Sequence, residues 1–358
     1  MTHVFVSPHA DDIALSCGGL VASLRELGQN VTILTVFSGA GNGAGADDLS
    51  LYQRTALGFG NKTLWPLTEA FRRDNISADF PVAAQAGGRA PWMADTERIE
   101  LTQQRANTQA RQFWQRAAWT RSANITALET PDRPLADSVA VQASLDPIDW
   151  AATDAIAVRR AEEERFAFLM EASVVFLDLP DAAFRGYAGD AELLGAVHED
   201  DEPPFEVLHR EIVRLEPQTV YFPLAVGNHV DHQLCRDVGL ALLGQRRGWV
   251  MPGPDFVGRL SFYEDFPYAW WSDYDGPLQN GRIELELPVG VGIGAGYADI
   301  TDVIDRKAAG IGLYASQIGR LFDSPQGMLD DLYAYHRRMA LAGAVAGYAE
   351  RYWATSAL

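Results

Sequence analysis

The first forty residues alternate between short apolar runs and a longer stretch of mixed polarity, which predicts strand, helix and strand. Residues 3–7 form a short apolar run, and residues 31–37 form a second run that is rich in β-branched side chains. Between them, residues 12–27 are predicted as a helix that a glycine ends. This order is typical of a βαβ unit with a right-handed crossover. Because open parallel sheets bind ligands beyond the carboxyl ends of their strands, the loops after the two strands are the places to search for a site.

The same alternation returns in the second half of the chain. The pattern there predicts helix 155–170, strand 173–179, helix 204–215, strand 219–224 and helix 230–243. Alternating strands and helices build an α/β fold. We therefore predict a Rossmann-like open, mostly parallel sheet with helices on both faces. Residues 1–358 form one domain in this interpretation, with residues 45–150 as an insertion after the second strand.

The insertion at residues 45–150 differs in character from its surroundings. It has loops that contain glycine, alanine and proline, followed by a polar helical pattern at residues 95–120. More than half of the nine tryptophans lie within it, namely Trp65, Trp92, Trp114, Trp119 and Trp150. We predict that the insertion packs over the sheet as a lid or subdomain. Two interpretations of the tryptophans stay open: a packed interior or subunit surface, and aromatic faces on which a ligand stacks.

Composition narrows the classes of partner and the cellular setting. The 358 residues carry a formal net charge of −19, so the surface would repel the phosphates of nucleic acid. The two cysteines, Cys17 and Cys235, form no CxxC pair, so neither a disulfide framework nor a cysteine zinc site is indicated. The chain contains no apolar stretch of about 18 residues, and its amino terminus lacks a secretory signal. We expect a cytoplasmic protein with no membrane span.

Two short motifs follow two of the predicted strands. The sequence SPHADD stands at residues 7–12, and the sequence GNHVDH stands at residues 227–232. In each motif, two side chains lie three residues apart at the start of a predicted helix, a spacing that can turn them toward one point. These pairs are His9 with Asp12, and His229 with His232. Imidazole and carboxylate groups are suitable zinc ligands, and a catalytic zinc takes three protein ligands and leaves a fourth position for water.

Each motif is weak alone, because a single His-x-x-Asp sequence is usually a helix cap beside a neighbouring histidine. Together the motifs are stronger, since three of the seven histidines fall in two loops that a parallel sheet can bring side by side. The pattern therefore favours a metal site over coincidence.

At these motifs the sequence resembles the PIG-L/LmbE-like family of zinc-dependent N-deacetylases. The family pattern is P-H-x-D-D or H-P-D-D near the amino terminus, with H-x-D-H later in the chain. The weaker blocks that also resemble the family are residues 159–163, residues 179–181 with Arg185, residues 263–268, and Lys307 with residues 314–317. The resemblance covers about half of the chain, and residues 45–150 have no counterpart in it.

The resemblance implies a reaction and the residues that perform it. The ligands of one zinc ion per chain would be His9, Asp12 and His232. Another divalent metal such as Fe²⁺ is the alternative. Asp11 would act as the general base, and His229, oriented by Asp231, would be the electrophilic or acid partner. Zinc lowers the pKa of its bound water from about 15.7 toward about 7 and polarises an amide carbonyl. The implied reaction removes an N-acetyl group from an amino sugar or glycoconjugate.

Three further residues are candidates for binding this substrate: Arg160, Asp181 and Arg185. Asp181 and Arg185 follow the third predicted strand, where they could bind sugar hydroxyls or simply pair with each other in a turn. Arg160 lies one helical turn from Glu163, and a surface ion pair is the alternative to a role in the site.

Other functions stay open at this point. The sequence GAGNGA at residues 39–44 nearly matches the dinucleotide fingerprint, but it follows the second strand and no helix clearly opens there. A non-catalytic carbohydrate-binding homologue would keep the fold without the reaction, although the complete set of motif residues argues against it. The same site could also hydrolyse another small amide or a carbamoyl-like group. A homo-oligomer is compatible with each of these functions.

Overall fold

The computed structural model describes residues 1–40, 155–244 and 258–357, except residue 188 and the short gaps at 280–281, 284, 286 and 323–324. The predicted insertion at residues 45–150 lies outside the described residues, together with its tryptophans and most of the fingerprint-like sequence. Among the helices that the structure describes, none combines the length and the apolar character needed to cross a membrane.

Strands and helices alternate along most of the described chain. The strands are β1 (Thr2–Ser7), β2 (Asn30–Thr35), β3 (Ser173–Phe176), β4 (Thr219–Pro223), β5 (Arg259–Tyr263), β6 (Leu278–Gln279), β7 (Arg282–Ile283), β8 (Val291–Asp299) and β9 (Ala349–Ala357). The helices are α1 (Asp12–Glu26), α2 (Ala155–Met170), α3 (Asp190–Leu193), α4 (Phe205–Leu215), α5 (Val230–Leu243), α6 (Tyr268–Trp271), α7 (Ile304–Ile311), α8 (Ala315–Leu321) and α9 (Pro325–Ala342). A single 3₁₀ turn spans Ala182–Phe184.

Seven strands form one sheet in the order β3-β2-β1-β4-β5-β9-β8. The first five are parallel, and β9 and β8 extend the sheet in antiparallel pairing. The chain moves outward from β1 through β2 and β3, and then continues with β4 and β5 on the other side of β1. Right-handed crossovers in these two directions place the connecting helices on opposite faces. The predicted open, mostly parallel α/β sheet is confirmed.

The strand order reverses between β1 and β4, and this reversal locates the site. The two strands are direct neighbours, with Phe5 beside Tyr221. Both are buried along nearly their whole length, as expected for parallel strands covered on both faces. Parallel strands on either side of a reversal leave a crevice at their carboxyl ends, because their connections lead to opposite faces. The two motif-bearing loops therefore leave the sheet side by side.

A buried ion pair fixes the middle of α1. Lys307 on α7 has no exposed surface, and its Nζ lies 2.7 Å from Oε1 of Glu350 on β9. The carboxylate of Glu350 also accepts hydrogen bonds from the N–H groups of Gly19 and Leu20, at 2.8 and 2.7 Å. Only glycine fits this position without a shift, because a Cβ on Gly19 would lie 2.7 Å from the Ile300 side chain. The placement of α1, which begins at the first motif, therefore depends on residues from the last third of the chain.

The loops after β2 and β3 are paired with each other. The N–H of Gly39 donates to the carbonyl of Leu179 at 3.0 Å, and the N–H of Asp181 donates to the carbonyl of Gly39 at 3.1 Å. A Cβ on Gly39 would lie 2.5 Å from the carbonyl oxygen of Asp178, so glycine is required for this close approach. The pairing holds Asp181 near the first motif.

Candidate active site

The two sequence motifs meet in one cavity at the carboxyl ends of β1 and β4. Side chains from α2, α8 and the segment after β5 complete the wall of this cavity. Its polar lining residues are His9, Asp11, Asp12, Arg159, Asp181, His229, His232, Tyr268, Gln317 and Arg320. The topology thus brings together residues that are more than two hundred positions apart in the sequence.

His9 directly follows β1 and is surrounded by carboxylates. Its backbone N–H donates to Oδ2 of Asp12 at 2.7 Å, and its Nδ1 lies 3.5 Å from the same oxygen. Its Nε2 lies 2.7 Å from Oδ2 of Asp231 and 3.7 Å from Oδ2 of Asp181. Burial alone would lower the pKa of His9, but the hydrogen bonds to Asp12 and Asp231 and the nearby negative charges raise this pKa to about 10. The surroundings of His9 therefore attract positive charge.

His232 reaches the same carboxylate from the second motif. Its Nε2 lies 3.4 Å from Oδ2 of Asp12, and its Nδ1 lies 2.6 Å from Oδ1 of Asp265. Burial acts to lower the pKa of His232, but the charges of these two carboxylates outweigh it and raise the pKa above its ordinary value. For Asp12, burial is outweighed by the charge of His232 and the hydrogen bonds from His9, so its pKa lies well below its ordinary value.

These donors fit a divalent cation. One ring nitrogen from each of His9, His229 and His232 lies within 4.8 Å of the others, and Oδ2 of Asp12 lies within 3.5 Å of two of these rings. Imidazole nitrogens and carboxylate oxygens are the donors that zinc and other first-row metals bind. The excess of carboxylate charge around His9 and His232 is the charge that a cation would neutralise.

Asp11 has a strained backbone at the entrance to α1. Its φ is 125°, a value that residues with a side chain rarely adopt, and its side chain makes no capping hydrogen bond to the helix. The carboxylate instead lines the cavity, where Oδ1 lies 3.2 Å from a guanidinium nitrogen of Arg159. Burial raises the pKa of Asp11 to about 7, although the charge of Arg159 opposes this shift. A carboxylate with a pKa near 7 is suited to accept and then release a proton.

His229 caps α5 with its own ring. The backbone N–H of Asp231 donates to Nδ1 of His229 at 3.3 Å, so a proton on the neutral ring belongs on Nε2. Burial, followed by the charge of His9, lowers the pKa of His229 well below its ordinary value. The ring lines the cavity as a neutral imidazole that can donate one hydrogen bond to a substrate oxygen.

The sequence of the chain matches a known protein family. The PIG-L family, described as GlcNAc-PI de-N-acetylase, matches residues 4–243, which include both motifs. The chain belongs to the PIG-L family. This result confirms the resemblance that the motifs indicate.

Two curated relatives of this PIG-L protein are 2'-N-acetylparomamine deacetylases. The protein from Niallia circulans is 31% identical over 154 residues, which cover 40% of this chain and 51% of the relative. The protein from Streptomyces fradiae is 34% identical over 166 residues, which cover 44% of this chain and 53% of the relative. The chain spans about half the length of the curated relatives it matches.

A solved structure has a similar fold. It is the zinc inhibited form of teicoplanin deacetylase Orf2, with a TM-score of 0.54 and 20% identity, and the match covers 100% of this chain and 99% of that chain. At this level of identity the likeness shows that the two proteins share a fold.

The carboxylate of Asp231 lies beside a different histidine from the one predicted. The prediction is that Asp231 orients His229, and its backbone N–H does bond that ring. Its carboxylate, however, lies 2.7 Å from Nε2 of His9, accepts the N–H of Ala182 at 3.2 Å and pairs with Arg185. Asp231 therefore contacts a histidine of each PIG-L motif. Its backbone N–H bonds the ring of His229, and its carboxylate bonds the ring of His9.

The predicted substrate-binding residues Asp181 and Arg185 occupy different positions. Asp181 lines the cavity, and its Oδ2 lies 3.9 Å from a guanidinium nitrogen of Arg159. Arg185 instead pairs with Asp231 and, at 3.0 Å, with Asp201. The two residues therefore do not form the turn pair that was the alternative interpretation, because each has other partners.

Arg160 is directed to a neighbouring loop. It pairs with Asp178, and its guanidinium lies 4.2 Å from the centre of the Phe176 ring. The preceding residue on α2, Arg159, lines the cavity and also donates to the carbonyl of Ala10 at 3.0 Å. Successive residues on a helix point in directions about 100° apart. Arg159 therefore reaches the cavity, whereas Arg160, the next residue on α2, does not.

Arg159 and Asp265 are among the residues at the site for which the sequence predicts no role. Both lie in blocks that resemble the family, at residues 159–163 and 263–268. Asp265 comes two residues after the end of β5, just as the two motifs follow β1 and β4. A carboxylate at the carboxyl end of a third parallel strand was the available signal, but that strand is not among the predicted elements.

Proposed function

We propose that this chain is a metal-dependent N-deacetylase, which hydrolyses the N-acetyl amide of an amino sugar or glycoconjugate to acetate and a free amine. The observation that carries the proposal is the meeting of the strained Asp11 carboxylate with a cluster of metal-ligating side chains in one cavity. Membership of the PIG-L family and the two relatives named as deacetylases of 2'-N-acetylparomamine support an amino-sugar substrate.

We propose His9, Asp12 and His232 as the ligands, and zinc as the metal. Oδ2 of Asp12 lies between the two rings, 3.5 Å from one and 3.4 Å from the other, which supports a common site for the three groups. A bound divalent metal lowers the pKa of a water molecule and polarises an amide carbonyl.

Asp11 is proposed as the general base. It takes a proton from the attacking water and delivers it to the nitrogen of the departing amine, while the hydroxyl oxygen of the water stays on the acetyl carbon. The guanidinium of Arg159 holds the carboxylate in place and keeps part of its population ionised near neutral pH. The strained φ of Asp11 supports this role, because such strain persists at sites where the direction of a side chain matters more than local backbone energy.

His229 is proposed as the donor to the oxyanion that forms at the amide carbonyl. Its Nδ1 accepts the backbone N–H of Asp231, which leaves Nε2–H as the donor. A donor held in place before the reaction stabilises developing charge without reorganisation. Asp181 is the substrate contact that we propose among the residues predicted for that role, because it lines the cavity. The cytoplasmic location and a homo-oligomeric state stay predictions.

The test is acetate release by the purified full chain. The protein is depleted of metal, reloaded separately with Zn²⁺, Fe²⁺, Mn²⁺ or Co²⁺, and incubated with N-acetylglucosamine, its conjugates and 2'-N-acetylparomamine. We expect acetate and free amine in equal amounts from at least one N-acetylated amino sugar. The Asp11→Asn variant, loaded with the same metal, is the matched control and should release little acetate. No acetate from any of these compounds with any metal would contradict the proposal.

A further inference from the structure

Asp265 is a buried carboxylate whose two oxygens have separate partners in the second motif and the loop before it. The residue is 1% exposed. Its Oδ1 lies 2.6 Å from Nδ1 of His232, and its Oδ2 accepts the backbone N–H of Val226 at 2.8 Å. Val226 lies in the loop that leads from β4 to α5. One side chain at the end of β5 thus holds both the ring of His232 and the backbone that leads to it.

The contact determines which nitrogen of His232 faces the cavity. With an N–H on Nδ1 donating to Asp265, the lone pair of the neutral ring is on Nε2, which lies 3.4 Å from Oδ2 of Asp12. A carboxylate on the far side of a metal-bound histidine fixes its tautomer and orientation and strengthens its basicity. His9 has the same arrangement, with Asp231 on Nε2 and Asp12 toward Nδ1.

We propose that Asp265 is a positioning residue for the metal centre, which holds the ring of His232 so that Nε2 binds the cation. The inference rests on the metal-dependent function proposed above. Asp265 is not among the side chains that line the cavity, so its effect on the reaction passes through His232.

The neighbouring residue provides a matched control. Glu264 is 2% exposed, and its carboxylate accepts hydrogen bonds from Arg351, Trp353 and Tyr335 on β9 and α9. Loss of its charge disturbs the protein interior at the end of the same strand without touching a proposed metal ligand. If Asp265 had only a structural role, loss of charge at Asp265 and at Glu264 would have the same effect on metal binding.

The experiment compares Asp265→Asn with Glu264→Gln and wild-type protein. His232 and Val226 contact different oxygens of Asp265, and asparagine replaces one of these oxygens by an NH₂ donor, so it cannot accept at both positions. The volume of the side chain hardly changes. Zn²⁺ affinity is measured by competition with a chelator, and the visible absorption of Co²⁺-loaded protein reports ligand geometry, on samples whose folding is checked by circular dichroism. We expect Asp265→Asn to bind Zn²⁺ about 10- to 100-fold more weakly and to alter the Co²⁺ spectrum. Glu264→Gln should keep the wild-type affinity and spectrum.

Two results would overturn the proposal: wild-type affinity and spectrum in folded Asp265→Asn, or an equal loss in Glu264→Gln. If Asp265→Asn does not fold, ¹⁵N NMR of metal-free wild-type protein decides, because a neutral His232 protonated on Nε2 instead of Nδ1 would also contradict it. Wild-type protein that binds neither Zn²⁺ nor Co²⁺ would overturn the metal centre and this proposal together. Metal binding without acetate release would overturn the deacetylase function alone.

Discussion

Two buried acids are neighbours just after β5, and they belong to clusters that are built differently. Glu264 belongs to one cluster, where its carboxylate accepts hydrogen bonds at 2.7 to 3.2 Å from Arg351, Trp353 and Tyr335. Asp265 belongs to the other cluster, which faces the cavity. The aspartates of that second cluster are Asp11, Asp12, Asp181, Asp231 and Asp265, and the arginines paired with them are Arg159 and Arg185.

The difference between the clusters is whether the negative charge is neutralised. At Glu264 the donors satisfy the carboxylate, and the group stabilises the packing of β9 and α9 against β5. In the second cluster the aspartates outnumber the arginines paired with them, so the pKa values of His9 and His232 rise, and that of Asp11 rises to about 7 through burial. Burial alone therefore does not identify a functional acid. An excess of carboxylates beside histidines in a cavity marks a candidate functional site.

The largest effect on turnover is expected for Asp12→Ala. Its Oδ2 lies close to ring nitrogens of both His9 and His232, so its removal should abolish metal binding. The metal content, measured by elemental analysis, and the rate of acetate release should both fall to the level of chelator-treated wild-type protein. Full metal occupancy in the variant would show that Asp12 is not a ligand.

Asp11→Asn should keep the metal and lose turnover. Removal of a general base typically lowers the rate about 10²- to 10⁴-fold. Metal content and acetate release are measured on the same sample, and Asp178→Asn, at an exposed aspartate outside the cavity lining, is the control. A metal-loaded Asp11→Asn protein with a near wild-type rate would rule out the base assignment.

His229→Ala should show a smaller loss with metal retained. Deletion of one oxyanion donor costs about 10²- to 10³-fold in kcat. The decrease should appear in kcat more than in KM, because the hydrogen bond strengthens only as the carbonyl oxygen becomes charged. A change confined to KM would instead make His229 a ground-state substrate contact.

Glu264→Gln should destabilise the fold without changing the reaction. Arg351 is buried, and loss of its charged partner should lower the free energy of unfolding by about 3 to 5 kcal/mol. Urea unfolding measures this loss, and kcat per folded molecule should match wild type. A reduced kcat in fully folded protein would show that the two clusters are coupled.

The smallest effect is a pH dependence of stability from His336. Burial, and then the charge of Lys307, hold the pKa of His336 well below its ordinary value of 6.5. The unfolded chain binds this proton near pH 6.5 and the folded chain does not, so the stabilisation is complete above that pH and declines as the pH falls. The slope from one such group is at most about 1.4 kcal/mol per pH unit. Urea unfolding of His336→Phe should show a flatter decline below pH 6.5 than wild type, and an unchanged slope would contradict the assignment.

Much of the site could be predicted because its signals are local. Strand, helix and strand in the first forty residues fix a parallel pair, and the motifs stand where those strands end. The pattern overestimates strand length, since β2 ends at Thr35 and the predicted strand ran to residue 37. Val36 and Phe37 are nevertheless buried, and their N–H groups donate to the carbonyls of Ser7 and Pro8. The apolar run thus marks residues that stay buried and bonded to the β1 segment beyond the end of the regular strand.

The remainder depends on contacts between distant parts of the chain. β8 has the sequence VGIGAGYAD, whose glycines are unfavourable in strands, and β9 contains Glu350 and Arg351, which are charged yet buried. Those charges are stable inside because Lys307 and Glu264 pair with them. Asp265 and Arg159 likewise have their partners on other elements of the chain.

The close approach of Gly39 to the loop after β3 limits which substitutions this protein can accept during evolution. Residue 39 is bonded to Leu179 and Asp181, and the chain returns at α2, where Arg159 lies one turn from the start. Both ends of the described chain that flank residues 41–154 are therefore held next to a cavity residue. A larger residue at position 39 would push apart the loops after β2 and β3, and with them the backbone that holds Asp181 at the cavity. Divergence of this protein is therefore constrained at a glycine that itself performs no chemistry.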